Sequence, residues 1–345
     1  MEKTRKISVI IPCYNAAPYI DRCLASIQAQ TFGINNLEII CIDDASTDNT
    51  WEHLKKCEQR FPEQMLLVHL EVNGRQGTAR NIGLSYASAD WIAFVDADDW
   101  LEADYFEQLY APVEHQFCDV ISCRFKIDHS DTLTYFDKNN RDEKENTYFS
   151  LDTPELTKLF LKNKTLGYAS WAKIIRKSLL IENKLFFPEG LVYEDNYWSP
   201  LLHIYSRSSY VIGKNLYHYF MGQHSVVHSK NADYHIDWLT VQMIKWRDYQ
   251  QRGILDKYPQ ESAYEFLQDA VGFLKMLILR HDHPSFSLFQ LERELIRQQV
   301  PDYKSNPYIV DFAEISRIFM EALYLPMNKS EFEQLTIDAK KYYHT

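Results

Sequence analysis

The first 125 residues alternate short apolar runs with amphipathic stretches of helical period. The apolar runs predict β-strands at residues 6–12, 37–42, 65–71, 90–95 and 119–125. The amphipathic stretches predict helices at residues 16–30, 47–60, 77–87 and 103–116. Asn15 is the expected cap of the first helix. This alternation is typical of the α/β class: a Rossmann-like, mainly parallel sheet with helices on both faces.

The pattern changes after residue 125. Residues 128–150 are polar and charged, which indicates an exposed hairpin or loop, and residues 151–230 read as two or three helices with a final strand pair. From residue 234 onward the pattern is helical almost throughout. We therefore expect an α/β domain over 1–230, with halves of about 1–125 and 150–230, and an α-helical C-terminal extension over 231–345.

Composition excludes several classes of function. The formal net charge of -11 argues against a nucleic-acid partner. The six cysteines include no C-x-x-C pair, so a zinc site has no support, and Cys13 and Cys41 fall at strand ends as small buried side chains. No apolar stretch reaches membrane-spanning length. We expect a reduced, cytoplasmic location, with any membrane contact peripheral at the inner face.

Polar side chains follow each of the first four predicted strands. The carboxyl ends of parallel strands meet at one edge of a sheet, where ligands bind in such folds. Four clusters at one edge indicate a site rather than chance. They are Tyr14-Asn15, Asp43-Asp44, Asn73-Gly74 and Asp96-Ala97-Asp98-Asp99.

The last of these clusters is the densest in charge. Asp96, Asp98 and Asp99 come directly after an apolar run and need a counter-charge. Closely spaced oxygen ligands suit Mg2+ or Mn2+, often with a substrate phosphate in the open positions. The alternative is an acidic loop in which Asp98 or Asp99 caps the next helix.

Five segments in this order resemble glycosyltransferase family 2, the nucleotide-sugar enzymes with the GT-A fold. Together they span about residues 6–226, whereas residues 235–345 carry no motif of the family. The segments are Ser-Val-Ile-Ile-Pro-Cys-Tyr-Asn at 8–15, Ile-Asp-Asp-Ala-Ser-Thr-Asp at 42–48, Gly-Thr-Ala-Arg-Asn-Ile-Gly at 77–83, Phe-Val-Asp-Ala-Asp-Asp at 94–99 and Tyr-Glu-Asp at 193–195.

The resemblance implies a donor site for a nucleotide sugar, most simply a UDP-sugar. Pro12 and Tyr14 would line the base pocket, with Tyr14 against the uracil ring. Asp44 would accept a hydrogen bond from uracil N3–H, and a carboxylate is a strong acceptor for such a group. Asn73 would contact the nucleotide. Arg80 would lie near the base and the acidic residues around it.

The resemblance also implies the reacting groups. Asp96 would face the ribose or a metal-bound water, and Asp98 would ligate the metal that bridges the diphosphate. Asp195 would be the catalytic base, with Glu194 orienting it or contacting the acceptor. Acidic residues are also common in the first turn of a helix, which is the alternative for this pair. The family further implies inversion at the anomeric carbon.

Trp171, His224 and His228 have open interpretations. Trp171 and Lys173 are expected to open a helix, and Trp171 either floors the acceptor site or packs in the core. His224 and His228 close a strand pair, where one of them is either a third metal ligand or a loop histidine.

The expected function is therefore inverting, metal-dependent transfer of a hexosyl or N-acetylhexosaminyl group. The acceptor would be a saccharide, lipid-linked or part of a cell-envelope polymer. The C-terminal helices could dock acceptor, membrane or another copy of the chain. A sugar nucleotidyltransferase and a non-catalytic nucleotide-sugar-binding scaffold are the alternatives. A nicotinamide dehydrogenase is disfavoured because no G-x-G-x-x-G follows the first strand.

Overall fold

The computed structural model describes residues 5–129, 144–150, 158, 167, 169–222 and 233–344. The described residues up to 222 form one compact unit, and those from 233 onward form a second. The expected boundary near 230, the tip of the expected loop at 130–143, and His224 and His228 lie outside the described residues.

The first unit is built on one sheet in the order β3-β2-β1-β4-β8-β6-β9-β5, with β7 paired to β9. The strands are β1 Ile7–Cys13, β2 Leu37–Asp43, β3 Met65–His69, β4 Trp91–Phe94, β5 Trp100–Leu101, β6 Val120–His129, β7 Thr147–Ser150, β8 Lys173–Arg176 and β9 Ser208–Met221. The helices are α1 Ile20–Gln28, α2 Thr50–Glu58, α3 Arg75–Tyr86, α4 Tyr105–Tyr110, α5 Lys177–Glu182 and α6 Asp195–Tyr205.

Parallel pairing is confined to part of this sheet. Strand β1 pairs in parallel with β2 and β4, β2 pairs in parallel with β3, and β6 with β9. Strand β8 runs antiparallel between β4 and β6. The predicted α/β fold is confirmed, but the fifth predicted strand does not lie beside the fourth, because β8 separates them.

Strand β8 corrects the expected helix at Trp171 and Lys173. The segment Lys173–Arg176 is a strand of four residues, and Ile174 and Ile175 at its centre are fully buried. β-Branched side chains suit a buried strand. A run of four residues is too short to show a period of either 2 or 3.6, so its sequence did not distinguish the two structures.

Both faces of the sheet are covered. On one face, Ile7, Val9 and Ile11 of β1 pack into the core that α1 and α4 complete. On the other face, α3 lies so close to β1 that a Cβ at Gly83 would collide with the Ile10 side chain. Full burial of each such isoleucine contributes roughly 1.5–3 kcal/mol. This packing fixes the strands whose ends carry the polar clusters.

The expected cap at Asn15 and the alternative cap at Asp98 or Asp99 are both absent. Helix α1 begins at Ile20 rather than at residue 16, with no side-chain cap, and Asn15 instead accepts a hydrogen bond from the Thr47 N–H at 2.8 Å. Asn15 has a φ of 48°, in the left-handed region that asparagine tolerates. Helix α4 begins at Tyr105, so neither Asp98 nor Asp99 caps it. Asn15 instead joins the loops after β1 and β2, and Asp99 bonds residues of β9.

The second unit is helical, as expected. Its helices are α7 Asp233–Gln251, α8 Ile254–Lys257, α9 Pro259–Arg280, α10 Phe286–Gln299, α11 Glu314–Tyr324 and α12 Lys329–His344. Its core includes Phe273 and Leu274 of α9, Phe289 of α10 and Phe319 of α11. No helix in the described parts of either unit has the length and apolar composition that a membrane crossing requires.

Candidate active site

The loops after β1 and β2 are joined at the carboxyl edge of the sheet. The Asp44 N–H donates to the Cys13 carbonyl at 2.8 Å, and Ser46 Oγ accepts from the Asn15 N–H at 3.0 Å. Pro12 is buried inside β1, whereas the Tyr14 side chain is 51% exposed. Tyr14 therefore presents an open aromatic face at the edge where a planar ligand could stack.

Asp44 and Asn73 meet at the same edge. Asp44 Oδ1 accepts from the Gly74 N–H at 2.7 Å, and Asn73 Nδ2 donates to the Asp44 carbonyl at 3.1 Å. Burial raises the pKa of Asp44, although hydrogen bonds from the Gly74 and Arg75 backbone oppose the shift. The loops after β2 and β3 are thus tied together beside a nearly buried carboxyl group.

Asp43, next to Asp44, has a different environment. It is fully buried at the end of β2, and its Oδ2 lies 2.7 Å from His69 Nδ1 at the end of β3. The turn at the start of α2 is made by Asp48, whose Oδ1 accepts from the Thr50 N–H at 3.0 Å. Successive strand residues point to opposite faces, which is why the two neighbouring aspartates differ.

Arg80 of α3 is enclosed between two carboxylates. Its Nη2 donates to Asp96 Oδ1 at 2.8 Å, its Nη1 donates to Glu194, and only 2% of its side chain is exposed. Burial alone would lower the pKa of Arg80, but Asp96 and Glu194 together raise it above its ordinary value. The guanidinium joins the loop after β4 to the segment before α6.

The acidic loop after β4 is hydrogen-bonded to strand β9. Asp99 is fully buried, and its carboxylate accepts from the Tyr217 hydroxyl at 2.5 Å and from the Phe220 N–H at 2.7 Å. The Asp96 N–H also donates to the Tyr217 oxygen at 3.3 Å. Tyr217 was not singled out in the sequence, because nothing in its strand pattern separates it from the other tyrosines of β9.

Asp96 and Asp98 are the two partly exposed carboxylates of this loop. Burial, and then the charge of Asp96, raise the pKa of Asp98 to about 7. No group of three or more His, Cys, Asp or Glu side chains converges as a metal site within the described residues. Two carboxylates, with water and phosphate oxygens completing the coordination, are a donor set that fits Mg2+ or Mn2+. The residues therefore suit a cation shared with a bound diphosphate.

The acidic pair lies at the start of α6. Glu194 is buried against Arg80, and Asp195, the first residue of the helix, is half-buried. Burial, and then the charge of Glu194, raise the pKa of Asp195 to about 7, whereas Arg80 lowers it. A carboxyl group that titrates near neutral pH is suited to accept a proton from a substrate.

Lys173 is a second buried cation near this pair. Only 2% of its surface is exposed, and its Nζ donates to the Ala169 carbonyl at 2.7 Å. Burial lowers the pKa of Lys173 to about 7, and the charge of Asp195 opposes this shift. In the sequence, the feature that could have indicated a buried lysine here is its position at the start of a short apolar run.

The raised pKa of Asp195 makes a prediction about stability. A carboxyl group whose pKa is higher in the folded than in the unfolded state costs stability as pH rises from about 4 to about 7. Asp195→Asn removes that cost. Each pKa unit corresponds to about 1.4 kcal/mol, so a shift of this size corresponds to at most about 4 kcal/mol. Because the side chain is partly exposed and solvent screens its charge, we expect the variant to gain on the order of 2 kcal/mol at pH 8 and nothing at pH 4.

Urea unfolding of the whole chain, followed by tryptophan fluorescence at both pH values, measures this difference. Asp90→Asn is the matched control, because Asp90 is exposed beside the opposite end of β4. A difference between Asp195→Asn and wild type that does not change with pH would show that the carboxyl group is not destabilised by burial.

Comparison with known proteins shows relatives that align with just under two thirds of this chain. EpsH of Bacillus subtilis is 32% identical over 231 residues, 65% of this chain and 63% of EpsH. Glycosyltransferase GlyA of Streptococcus pneumoniae is 32% identical over 216 residues, 62% of this chain and 30% of GlyA. The alignments thus span less than two thirds of these relatives' own length.

Solved structures of Staphylococcus aureus TarS share the fold. The 1–349 fragment in complex with UDP-GlcNAc has a TM-score of 0.60 at 18% identity, over 98% of this chain and 91% of the fragment. A second TarS structure has a TM-score of 0.64 at 21% identity, over 98% of this chain and 55% of the other. The predicted GT-A fold is confirmed by these neighbours.

The sequence family is shown by a direct match. The family model described as glycosyl transferase family 2 matches residues 8–183, just over half of the chain. This range contains β1 to β4, the acidic loop and Arg80. The chain belongs to glycosyl transferase family 2.

Proposed function

We propose that this protein is an inverting, metal-dependent glycosyltransferase that moves a hexosyl or N-acetylhexosaminyl group from a UDP-sugar to a saccharide hydroxyl. The observation that carries the proposal is the Arg80 ion pair. It joins Asp96, on the loop suited to a diphosphate, to Glu194, beside the carboxyl group suited to activate an acceptor.

The donor half of the proposal is supported by four side chains at the sheet edge. The open ring of Tyr14 would stack on uracil, and Asp44 would accept from its N3–H, with Pro12 and Asn73 completing the wall. TarS, which is 29% identical over 216 residues and 62% of this chain, is named a poly(ribitol-phosphate) beta-N-acetylglucosaminyltransferase. The UDP-GlcNAc in one TarS structure supports the same donor class here.

The loop after β4 would hold the metal and the diphosphate. A bound divalent cation neutralises the charge that develops on the leaving diphosphate. Asp98 would bind the cation directly, and Asp96 would face the ribose or a metal-bound water while Arg80 fixes its orientation. Asp99 holds the loop in place through Tyr217 and Phe220.

Asp195 would act on the acceptor. Its carboxylate takes the proton from the attacking hydroxyl as the new bond to the anomeric carbon forms and the bond to the diphosphate breaks. With a pKa of about 7, a substantial fraction of Asp195 is ionised at neutral pH. Attack on the face opposite the leaving group inverts the anomeric configuration.

Nucleotide binding tests the donor site. We expect calorimetry to show tighter binding of UDP than of GDP or CDP, and tighter UDP binding with Mn2+ or Mg2+ than with EDTA. Asp98→Asn removes a charged ligand of the cation, so it should abolish turnover and most of the metal-dependent gain.

Asp90→Asn is the matched control for Asp98→Asn, because its carboxylate is exposed outside the acidic loop. Equal affinity for the three nucleotides would remove the uracil assignment. Binding that EDTA does not change would remove the metal assignment, and normal turnover in Asp98→Asn would remove the role of that residue.

The acidic pair is tested by separating binding from transfer. Asp195→Asn should keep UDP affinity close to that of wild type, because the base acts on the acceptor, while sugar transfer falls ~100- to 10,000-fold. Initial rates of UDP release with acceptor, measured beside UDP calorimetry, show both effects.

Glu194→Gln is the comparison variant, since Glu194 contacts Arg80 rather than solvent. Normal transfer in Asp195→Asn with none in Glu194→Gln would reverse the assignment of the pair. Normal transfer in both variants would mean that the two residues only begin helix α6.

A further inference from the structure

An aromatic cluster lies directly beside the acidic loop. Trp171 stacks on Tyr217, with ring centroids 4.7 Å apart and planes 10° apart, and on Tyr219, at 5.1 Å and 14°. Phe125 meets the Trp171 ring edge-on at 4.8 Å. Tyr217 and Tyr219 share one face of β9, and Phe125 is the register partner of Tyr217 on β6.

The four rings differ in their exposure to solvent. Tyr217 is fully buried, Trp171 and Tyr219 are half-buried, and 43% of Phe125 is exposed. We call Phe125, Trp171 and Tyr219 the aromatic ledge. Trp171 and Tyr219 pack against the core with part of each ring exposed, and Phe125 lies beside them at the surface. Aromatic rings grouped at a surface mark binding surfaces more often than isolated ones do.

The backbone beside Trp171 is held in a rare conformation. Ala172 has a φ of 58°, in the left-handed region that costs an alanine about 1 kcal/mol or more. The residue is buried and leads directly into β8. Strain of this kind persists only where the surrounding structure enforces it, and here it lies next to the Trp171 ring that stacks on β9.

The aromatic ledge is connected to both acidic parts of the site. The Tyr217 ring that supports Trp171 carries the hydroxyl that bonds Asp99 and the Asp96 N–H. Lys173, two residues after Trp171, is close enough to Asp195 for their charges to interact. A molecule on the ledge would therefore lie near the groups assigned to transfer.

From this arrangement we propose that the aromatic ledge binds the apolar C–H face of a sugar ring in the acceptor, and so selects a pyranose-containing glycan. The proposal rests on the proposed function and specifies its acceptor. The face of an aromatic ring carries negative charge density and attracts weakly positive C–H groups. The ledge itself contributes three uncharged rings.

A linear polyol phosphate fits the ledge less well. It has no ring face to stack, and its repeated negative charges would approach a chain of net charge -11 beside an acidic loop. TarS is named for poly(ribitol-phosphate), so this polymer is the relevant competitor in the test.

Calorimetry on the whole chain with UDP and Mn2+ present tests the proposal. The probes are β-linked tetrasaccharides of N-acetylglucosamine and of glucose, an α-linked tetrasaccharide of glucose, and poly(ribitol phosphate). We expect at least one tetrasaccharide to bind. Phe125→Ala and Trp171→Phe should each weaken that binding roughly tenfold, by loss of ring contact.

Phe117→Ala is the matched control, because Phe117 is an exposed ring, at 59%, in the same unit. It should bind the tetrasaccharide as wild type does. With an active donor, Phe125→Ala should raise the acceptor KM far more than it lowers kcat, a split that general loss of folding would not produce.

Three results would overturn the proposal. The first is binding of poly(ribitol phosphate) without any tetrasaccharide, and the second is binding of none of the probes. The third is tetrasaccharide binding that neither Phe125→Ala nor Trp171→Phe changes. Binding of UDP in the same samples distinguishes a failure of this proposal from a failure of the proposed function. If UDP binds and the ledge results fail, only the ledge is wrong, whereas failure to bind UDP contradicts the proposed function itself.

Discussion

The structure of the candidate site depends on one buried cation. Arg80 has almost no contact with solvent, and each of its two amino groups donates to a different carboxylate. Removing a charge from water costs several kcal/mol, which only well-oriented partners offset. Asp96 and Glu194 are far apart in the sequence, so this requirement fixes the loop after β4 against the segment before α6. Two halves of one polypeptide thereby form a single acidic site.

The remaining interactions connect that site to strand β9. Tyr217 bonds both Asp99 and the Asp96 backbone, so strand β9 supports the loop that would hold a diphosphate. The same ring supports Trp171, on the side where an acceptor would lie. Asp195 lies where burial and Glu194 raise its pKa while Arg80 lowers it, so the arrangement that organises the site also sets its titration near neutral pH.

The first four strands and the edge that carries the polar clusters could be predicted from the sequence, since apolar period and strand–helix alternation are local signals. The position of β8 could not, because four buried residues have no period and its partners lie far away in the chain. The closeness of Arg80 to the acids followed from charge balance. Its near-complete burial, the role of Tyr217 and the position of Lys173 depend on packing between distant segments, which a sequence pattern does not encode.

The most direct test is a double-mutant cycle on Arg80 and Glu194, measured as free energies of unfolding. Arg80→Gln alone leaves two carboxylates without their cation and should cost about 3–5 kcal/mol. Adding Glu194→Gln should recover part of that loss, with a coupling energy on the order of 2 kcal/mol. Free energies that simply add would contradict the central claim, because they would mean that Arg80 does not hold the two acidic segments together.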